Sequence, residues 1–447
     1  MRCCEITMNV TVIGGAGYVG LTTSACLAYK GNTVYCVDID QSRIKRINEG
    51  SSPIHEGGLE EIIEAVVKEG RLFATQDAGN SISASSAVFI CAGTPSKKDG
   101  SIDLRQIIIA TRNVGRSLAK KDEYCVVVVK STVVPGTTRS RIIPLLEKMS
   151  KKKAGVDFGV CMNPEFLREG SAVKDLLFPR DQGIVIGQFD EKSGDSLLEL
   201  YRGSEAEILR TTLDSAEMVK YARNAYLSKD ISFANEMANI CQQLDVDYLD
   251  VKKGLEMDSR IGRFLNAGIG FGGSCFPKDI RALVSKAKEA GIEPAILEAT
   301  LRVNENQPSV LMNIVKRALG NLKDKNFAVL GLAFKPGTSD MRESRSIPII
   351  ERLLAQGAHV YAFDPEAAAE AKKFFGRRIN YTSTAEEALR KADACIIVTE
   401  WQMFSDPKLY DYLKGRFIFD GRRSLDPRKL SHRFIYHGIG FPEGTKS

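Results

Sequence analysis

The sequence predicts an α/β protein: two doubly wound parallel-sheet domains joined by a long central helix. Three observations carry this. Up to about residue 210, short apolar runs rich in β-branched residues alternate with helix-length segments, the pattern of strands buried on both faces of a parallel sheet. Between 212 and 245 there is neither glycine nor proline, and apolar residues recur at helical steps. From about 325 the alternation resumes. A chain of 447 residues is too long for one core, and the textures divide it into 1–210, 211–310 and 311–447.

In chain order, "VTVIG" (10–14) is a strand ending in glycines, followed by a helix to about Lys30 and a second strand in "NTVYCVDID" (32–40). "SAVFICAG" (86–93) and "YCVVVVKST" (124–132) are apolar without interruption, and "VDFGVCMNPE" and "QGIVIG" supply two more strands. The segment 212–245 reads as one long helix or a nearly continuous pair, apolar over more of its circumference than one buried stripe requires. "KNFAVLGLAF", "AHVYAFDP", "ADACIIVTEW" and "RFIFDG" repeat the N-terminal architecture, with "VLGLAF" standing where "VIGGAG" stands.

Composition excludes several classes. Charged residues are 26% and the net charge is +6, with basic residues dispersed apart from the solvated run 151–153, so no nucleic-acid partner is expected. No apolar run reaches membrane-spanning length, and no apolar core of a secretory signal precedes the first strand. Met8 is a candidate start, since the first seven residues add nothing to that strand. Ten cysteines lie scattered, mostly in apolar runs, without a CxxC, and the four histidines have no metal-pair spacing. No metal site is expected, and reduced thiols in a cytoplasmic protein fit this usage.

"GAGYVG" places Gly15, Gly17 and Gly20 between a strand and a helix, with Asp38 ending the next strand. That context makes the first domain a Rossmann-like dinucleotide site. Gly15 is assigned the tight turn, Gly17 the approach to the pyrophosphate and Gly20 the helix–strand packing, with Gly14 one glycine more than the fingerprint needs. The diphosphate belongs on the helix N-terminus. Asp38 is expected to accept from ribose hydroxyls and to repel a 2′-phosphate, favouring NAD, whereas Arg43 nearby could accommodate that phosphate.

Other residues are ambiguous alone. In "GFGGSCFPKD", Cys275 is either a small buried hydrophobe at a turn or a nucleophile approached across glycines. At a helix N-terminus beside Lys278 its thiolate would be favoured by dipole and ammonium, and Pro277 suits a first turn. Lys220 and Asn224 are four apart on the long helix, and Glu165 and Glu169 share that spacing. Each pair is either a wet helix face or part of a site.

Seven stretches settle these readings together: "GAGYVG", "KSTVVPGTT", "NPEFLREG", "EMVKYARNAY", "RIGRFLNAGIGFGGSCFPKD", "GLAFKPGTSDMRES" and "DGRR". In this order, over residues 8 to about 440, the chain resembles the nucleotide-sugar dehydrogenases of the UDP-glucose/GDP-mannose family. The resemblance implies an NAD domain, a central helix that forms a homodimer and a C-terminal nucleotide-sugar domain. It implies oxidation of a sugar's primary alcohol to a carboxylate in two hydride transfers. The loop "RIGRFLNAGIGFGG" is similar to the UDP-glucose branch, and "AVKDLLFP" and "AEMVKYARN" to the GDP-mannose branch. UDP-glucose is the expected substrate, with GDP-mannose or UDP-N-acetylmannosamine as alternatives.

Position by position, the resemblance makes Cys275 the nucleophile that forms a thiohemiacetal and then a thioester. Lys220 and Asn224 stabilise the oxyanion, Glu165 is the base for hydrolysis, and Thr132 with Asp279 holds the water. It places Val19, Asp38, Arg43, Thr94, Thr132, Glu169, Lys278 and Arg342 at NAD. At the sugar nucleotide it places the backbone of Glu165, Phe166, Leu167, Arg168 and Glu169, then Phe264, Leu265, Asn266, Ala267, Gly268 and Gly272. Lys335 and Arg422 join them; the charge of Lys335, like that of Arg342 at NAD, suits a diphosphate. Arg260 is expected to reach the neighbouring subunit's ligand. Two rivals are a non-catalytic sensor on the same fold and a two-electron hydroxyacid-type dehydrogenase that needs no cysteine.

Overall fold

The structure is a computed structural model that describes residues 7–262 and 264–442; the question of Met1 or Met8 as start, and Cys3 and Cys4, lie outside the described residues. The chain forms two compact units, 1–223 and 224–447.

The first unit is built on an eight-stranded sheet: β1 (Asn9–Ile13), β2 (Thr33–Val37), β3 (Leu72–Thr75), β4 (Ala87–Ile90), β5 (Val126–Val129), β6 (Gly159–Met162), β7 (Ile184–Gln188) and β8 (Ile208–Thr212). Their spatial order is 3-2-1-4-5-6-7-8. β4, β5 and β6 are buried at every position, which is why their sequences are apolar without alternation. The chain winds outward from β1 in one direction and from β4 in the other, leaving a crevice beyond the ends of these two strands. The parallel expectation fails at one place. β7 runs antiparallel to β6, and β8 is parallel to β7. "QGIVIG" is apolar either way, and composition does not encode strand direction. β3 and β8 were not foreseen; β8 is largely exposed on both faces, so it carries no buried-strand signature.

The second unit holds a six-stranded sheet, β9 (Asn326–Leu330), β10 (His359–Phe363), β11 (Asn380–Tyr381), β12 (Ala394–Ile397), β13 (Phe417–Asp420) and β14 (Ile435–Gly438). All its pairs are parallel, in the order 11-10-9-12-13-14. This is the same winding as the first six strands of the other sheet. Its first turn has Gly331 at φ +93°, and Asp364 accepts from the Leu332 and Ala333 N–H groups at 2.7 and 3.0 Å.

The segment 212–245 is one helix, Leu213–Gln243, about 47 Å long at 1.5 Å per residue. Freedom from glycine and proline lets it run unbroken across the boundary between the units. Its buried polar side chains include Glu217, Lys220 and Asn224. Met218, Tyr226, Phe233 and Ile240 are exposed, the last three at steps of seven, so the helix is apolar on a second side as well.

Candidate functional site

The cofactor cradle begins at the end of β1. The fingerprint assigns the tight turn to Gly15, and the structure moves it by one residue. Gly14 has φ +75°, where a side chain is strained, and a Cβ there would stand only 2.9 Å from the Cys91 carbonyl oxygen. Gly15 is glycine for a different reason: a Cβ there would stand 2.7 Å from the Cys36 sulfur. A Cβ on Gly20 would meet the Gly14 carbonyl oxygen at 2.1 Å, so that glycine lets the helix Tyr18–Tyr29 press on the turn. Gly17 is the N-cap of this helix, Val19 lies half-buried in its first turn, and no side chain caps its amides. Such an end suits a diphosphate.

Asp38 bonds to the turn itself. Its Oδ2 accepts the Ala16 N–H at 2.9 Å, and its Oδ1 accepts from Ile39 and Asp40 at 2.8 and 3.1 Å. Both oxygens retain acceptor capacity for ribose hydroxyls. Ile39 beside it is 93% exposed, an apolar platform that fits an adenine ring. Arg43 donates to the Ala16 carbonyl at 3.1 Å and pairs with Asp40. Thr94, just beyond β4, donates to the Thr132 carbonyl at 2.8 Å. These residues fit NAD.

A second cluster of the first unit joins the 163–170 stretch to the long helix. Glu165 and Glu169 do not share a helix face, because residues 163–168 form an irregular loop after β6. Within that loop Asn163 and Glu165 are buried. Lys220 Nζ donates to Glu165 Oε1 at 2.8 Å with both side chains buried, and Glu165 Oε2 accepts the Leu167 N–H at 2.8 Å. Burial pushes the Glu165 carboxyl up, but Lys220, the Leu167 N–H and Lys130 together hold it below the ordinary range. Glu165 is therefore an ionised carboxylate in a dry site. The Arg223 guanidinium lies 3.8 Å from the Phe166 ring centroid. Arg168 is engaged by Asp175 at 2.5 Å.

In the second unit Cys275 is the N-cap of the helix Phe276–Glu289, with Pro277 in its first turn. The Ser274 hydroxyl lies 3.6 Å from its sulfur. Asp279, one turn on, is buried and accepts from Asn224 Nδ2 at 2.6 Å and from Lys278 Nζ at 2.5 Å. The Lys278 ammonium thus has a carboxylate partner rather than standing alone beside the thiol.

The loop that delivers Cys275 is fastened along its length. Asn235 Oδ1 accepts the Gly268 N–H and Gln307 Nε2 donates to Gly268 O, while Asn304 accepts the Phe271 N–H through Oδ1 and donates to the Phe271 carbonyl through Nδ2. Arg422 donates to Gly270 O at 3.1 Å, and the buried Arg345 to Phe271 O at 2.8 Å. Gly272 has no room for a side chain, since a Cβ would stand 2.4 Å from the Glu343 carbonyl oxygen. Leu265 and Ala267 are buried, Phe264 and Asn266 exposed, and Tyr248 donates to Leu265 O at 2.9 Å. Arg342 pairs with Asp340 and Arg260 with Asp258, and Lys335 lies 5.6 Å from the Phe334 ring centroid.

Comparison with known proteins decides the family. Residues 8–205 match the NAD binding domain of the UDP-glucose/GDP-mannose dehydrogenase family, 214–306 its central domain and 328–427 its UDP binding domain. The chain belongs to that family. The UDP-glucose 6-dehydrogenase AglM of Haloferax volcanii is 43% identical over 430 residues, covering 94% of this chain and 98% of that one. TuaD of Bacillus subtilis, also a UDP-glucose 6-dehydrogenase, is 41% identical over 440 residues, 97% of this chain and 94% of the other. A solved UDP-glucose dehydrogenase from the hyperthermophilic archaeon Pyrobaculum islandicum has TM-score 0.92 at 38% identity, covering 99% of each chain.

As a member of the UDP-glucose/GDP-mannose dehydrogenase family, the chain is an NAD-dependent dehydrogenase with two parallel-sheet α/β domains and a long central helix. Three buried polar residues escaped the sequence reading. Glu56 receives the Tyr18 hydroxyl and the N–H groups of Gly170 and Ala172. Lys130 donates to Asn163 Oδ1 at 2.8 Å, and burial holds its ammonium below the ordinary range. A lysine closing the wholly apolar run "YCVVVVK" was the available signal. Glu217 stands one turn before Lys220, a phase relation the helix reading contained but did not use. No helix among the described residues is long and apolar enough to cross a membrane.

Proposed function

We propose that this chain oxidises the C6 alcohol of UDP-glucose to the carboxylate of UDP-glucuronate, through a covalent intermediate on Cys275. Bound NAD supplies the hydride acceptor, one molecule for each of two successive oxidations. In the first, the alcohol gives up a hydride and a proton, leaving an aldehyde. The Cys275 sulfur adds to the aldehyde carbon, and the proton ends on the carbonyl oxygen, forming a thiohemiacetal. Loss of a second hydride and proton leaves a thioester. Water then cleaves the C–S bond, returning the thiol and a carboxylate.

Lys220 and Asn224 stabilise the oxygen that becomes negative in both addition steps. Glu165, dry and ionised, takes the proton of the hydrolytic water; Thr132 and Asp279 hold that water. The observation that carries the reading is the buried Lys220–Glu165 pair at 2.8 Å. A buried ion pair is weak support for stability, so its placement is better explained by chemistry. UDP-glucose is chosen over GDP-mannose and UDP-N-acetylmannosamine because UDP-glucose 6-dehydrogenases are the relatives at about 40% identity.

The proposed division of labour is 1–210 for NAD, 211–310 for the central helical region and 311–447 for the nucleotide sugar, with Lys335 and Arg422 on its diphosphate. The proposed assembly is a homodimer on the long helix, with Met218, Tyr226, Phe233 and Ile240 as the covered face and Arg260 contributed to the other subunit's ligand. Need for a reduced thiol places the enzyme in the cytoplasm. The test is a panel of the three sugars with NADH counted. Two NADH per UDP-glucose and no trappable aldehyde is the expected result; one NADH with free aldehyde, or turnover of another sugar alone, overturns it.

A further inference from the structure

The helix that carries Lys220 also carries a carboxylate with no role in the chemistry above. Glu217 is fully buried. Its Oε2 accepts the Gly136 N–H at 2.6 Å, and its Oε1 accepts the Thr138 N–H at 2.8 Å. Gly136 lies in the loop that leaves β5 and contains Thr132, and Thr138 opens the turn of π-helix that follows it. We propose that Glu217 is a positioning residue: it fastens the 132–138 loop to the helical turn that carries Lys220, and so sets where Thr132 stands relative to that turn.

Three features support this. The loop is held at its other end by the Thr94 hydroxyl on the Thr132 carbonyl, so Glu217 completes a two-point attachment. Gly136 has φ +91° with open space where a Cβ would be. Glycine is there to turn the backbone so that its N–H meets the carboxylate. Beyond Thr138 the chain enters one turn of π-helix, Thr138–Ile142, a geometry that concentrates at functional sites.

The attachment is sensitive to protonation. Burial pushes the Glu217 carboxyl up to about 7, against the two loop amides that favour the ion. The charged group acting on it is Asp214, one turn earlier on the same helix, which is itself paired with Arg139 at 2.8 Å. As a carboxylate, Glu217 accepts both loop N–H bonds. Opening the loop returns Glu217 to water and to its ordinary range, so the closed loop keeps a proton that the open one releases. The loop is therefore held more firmly below neutrality and opens more readily as pH rises through 7.

This rests on the proposed placement of Thr132 at the cofactor, and the experiment separates the two. Hydrogen-exchange protection of the Gly136 and Thr138 amides, corrected for intrinsic rates, is measured on the chain without ligands at pH 6 and pH 8. Protection is expected to be about tenfold higher at pH 6 than at pH 8. In Glu217→Gln it should be low at both pH values, and the KM for NAD should rise about tenfold with a smaller change in kcat. Glu217→Asp, which keeps the charge on a shorter arm, should fall between. Equal protection at pH 6 and 8 in the unmodified chain overturns the proposal, and needs no variant to fold. Unchanged protection in Glu217→Gln also overturns it. Lost protection with an unchanged KM for NAD keeps the fastening and sinks the placement of Thr132 at the cofactor.

Discussion

Cys275 occupies an N-cap, a position where serine, threonine, aspartate and asparagine stabilise a helix and where cysteine has no such advantage. Stability alone would select serine there. Cys275→Ser should therefore fold with an unchanged or slightly higher melting temperature, while the second oxidation stops or leaves a long-lived ester. Near-normal release of two NADH per sugar by the variant would show the thiol to be structural. Glu217 yields a prediction about stability rather than turnover. Its folded pKa of about 7 stands above the ordinary 4.5, so between these values the native state keeps a proton that the unfolded chain has released. The stability this contributes is whole below pH 4.5 and is lost as pH rises through 7, by about 3 kcal/mol at most. Glu217→Gln does not titrate. Urea midpoints should show the unmodified chain losing stability relative to the variant between pH 5 and pH 8, and parallel curves would refute the shift.

Among the elements, the helix Tyr18–Tyr29 is the one whose seat leaves no slack. Gly20→Ala would drive a methyl to 2.1 Å from the Gly14 carbonyl oxygen. Relieving that contact must move the helix off the turn, at an overpacking cost of about 1–3 kcal/mol. Lower thermal stability together with weakened NAD binding is expected, and a variant matching the unmodified chain in both would contradict the packing. Asp38 belongs to the same element pair. Asp38→Ala removes the Ala16 bond along with the repulsion of a 2′-phosphate, so it should lower kcat/KM for NAD more than for NADP and narrow the preference between them. Equal kcat/KM for both cofactors in the unmodified enzyme would mean that Arg43 dominates. Elements of this kind were legible in the sequence wherever burial on both faces or freedom from helix breakers left a compositional trace, as in β4, β5 and the long helix. The edge strand β8 left none. At the site, the glycines and the cysteine were readable because their residue types are restrictive. The shift of the turn from Gly15 to Gly14, the loop under Glu165, and the buried Glu56, Lys130 and Glu217 were not. Their meaning depends on which backbone amides stand opposite, and that is fixed only when distant segments meet.

For the whole molecule, the exposed row of Met218, Tyr226, Phe233 and Ile240 is the feature with the widest reach. Three large apolar side chains at seven-residue steps have the spacing of a helix-packing seam, and the cover proposed for them is a second copy of the same helix, which would be self-complementary. Phe233→Glu should place a charge in that seam and shift light scattering at micromolar concentration from dimer to monomer. An unmodified chain that stays monomeric and fully active at low nanomolar concentration rules the assembly out. If the seam does close, folding and association become one equilibrium. The melting temperature is then a property of the solution as well as of the chain, falling on the order of one degree for each tenfold dilution, and a cell that makes less of the protein also holds each copy less firmly folded.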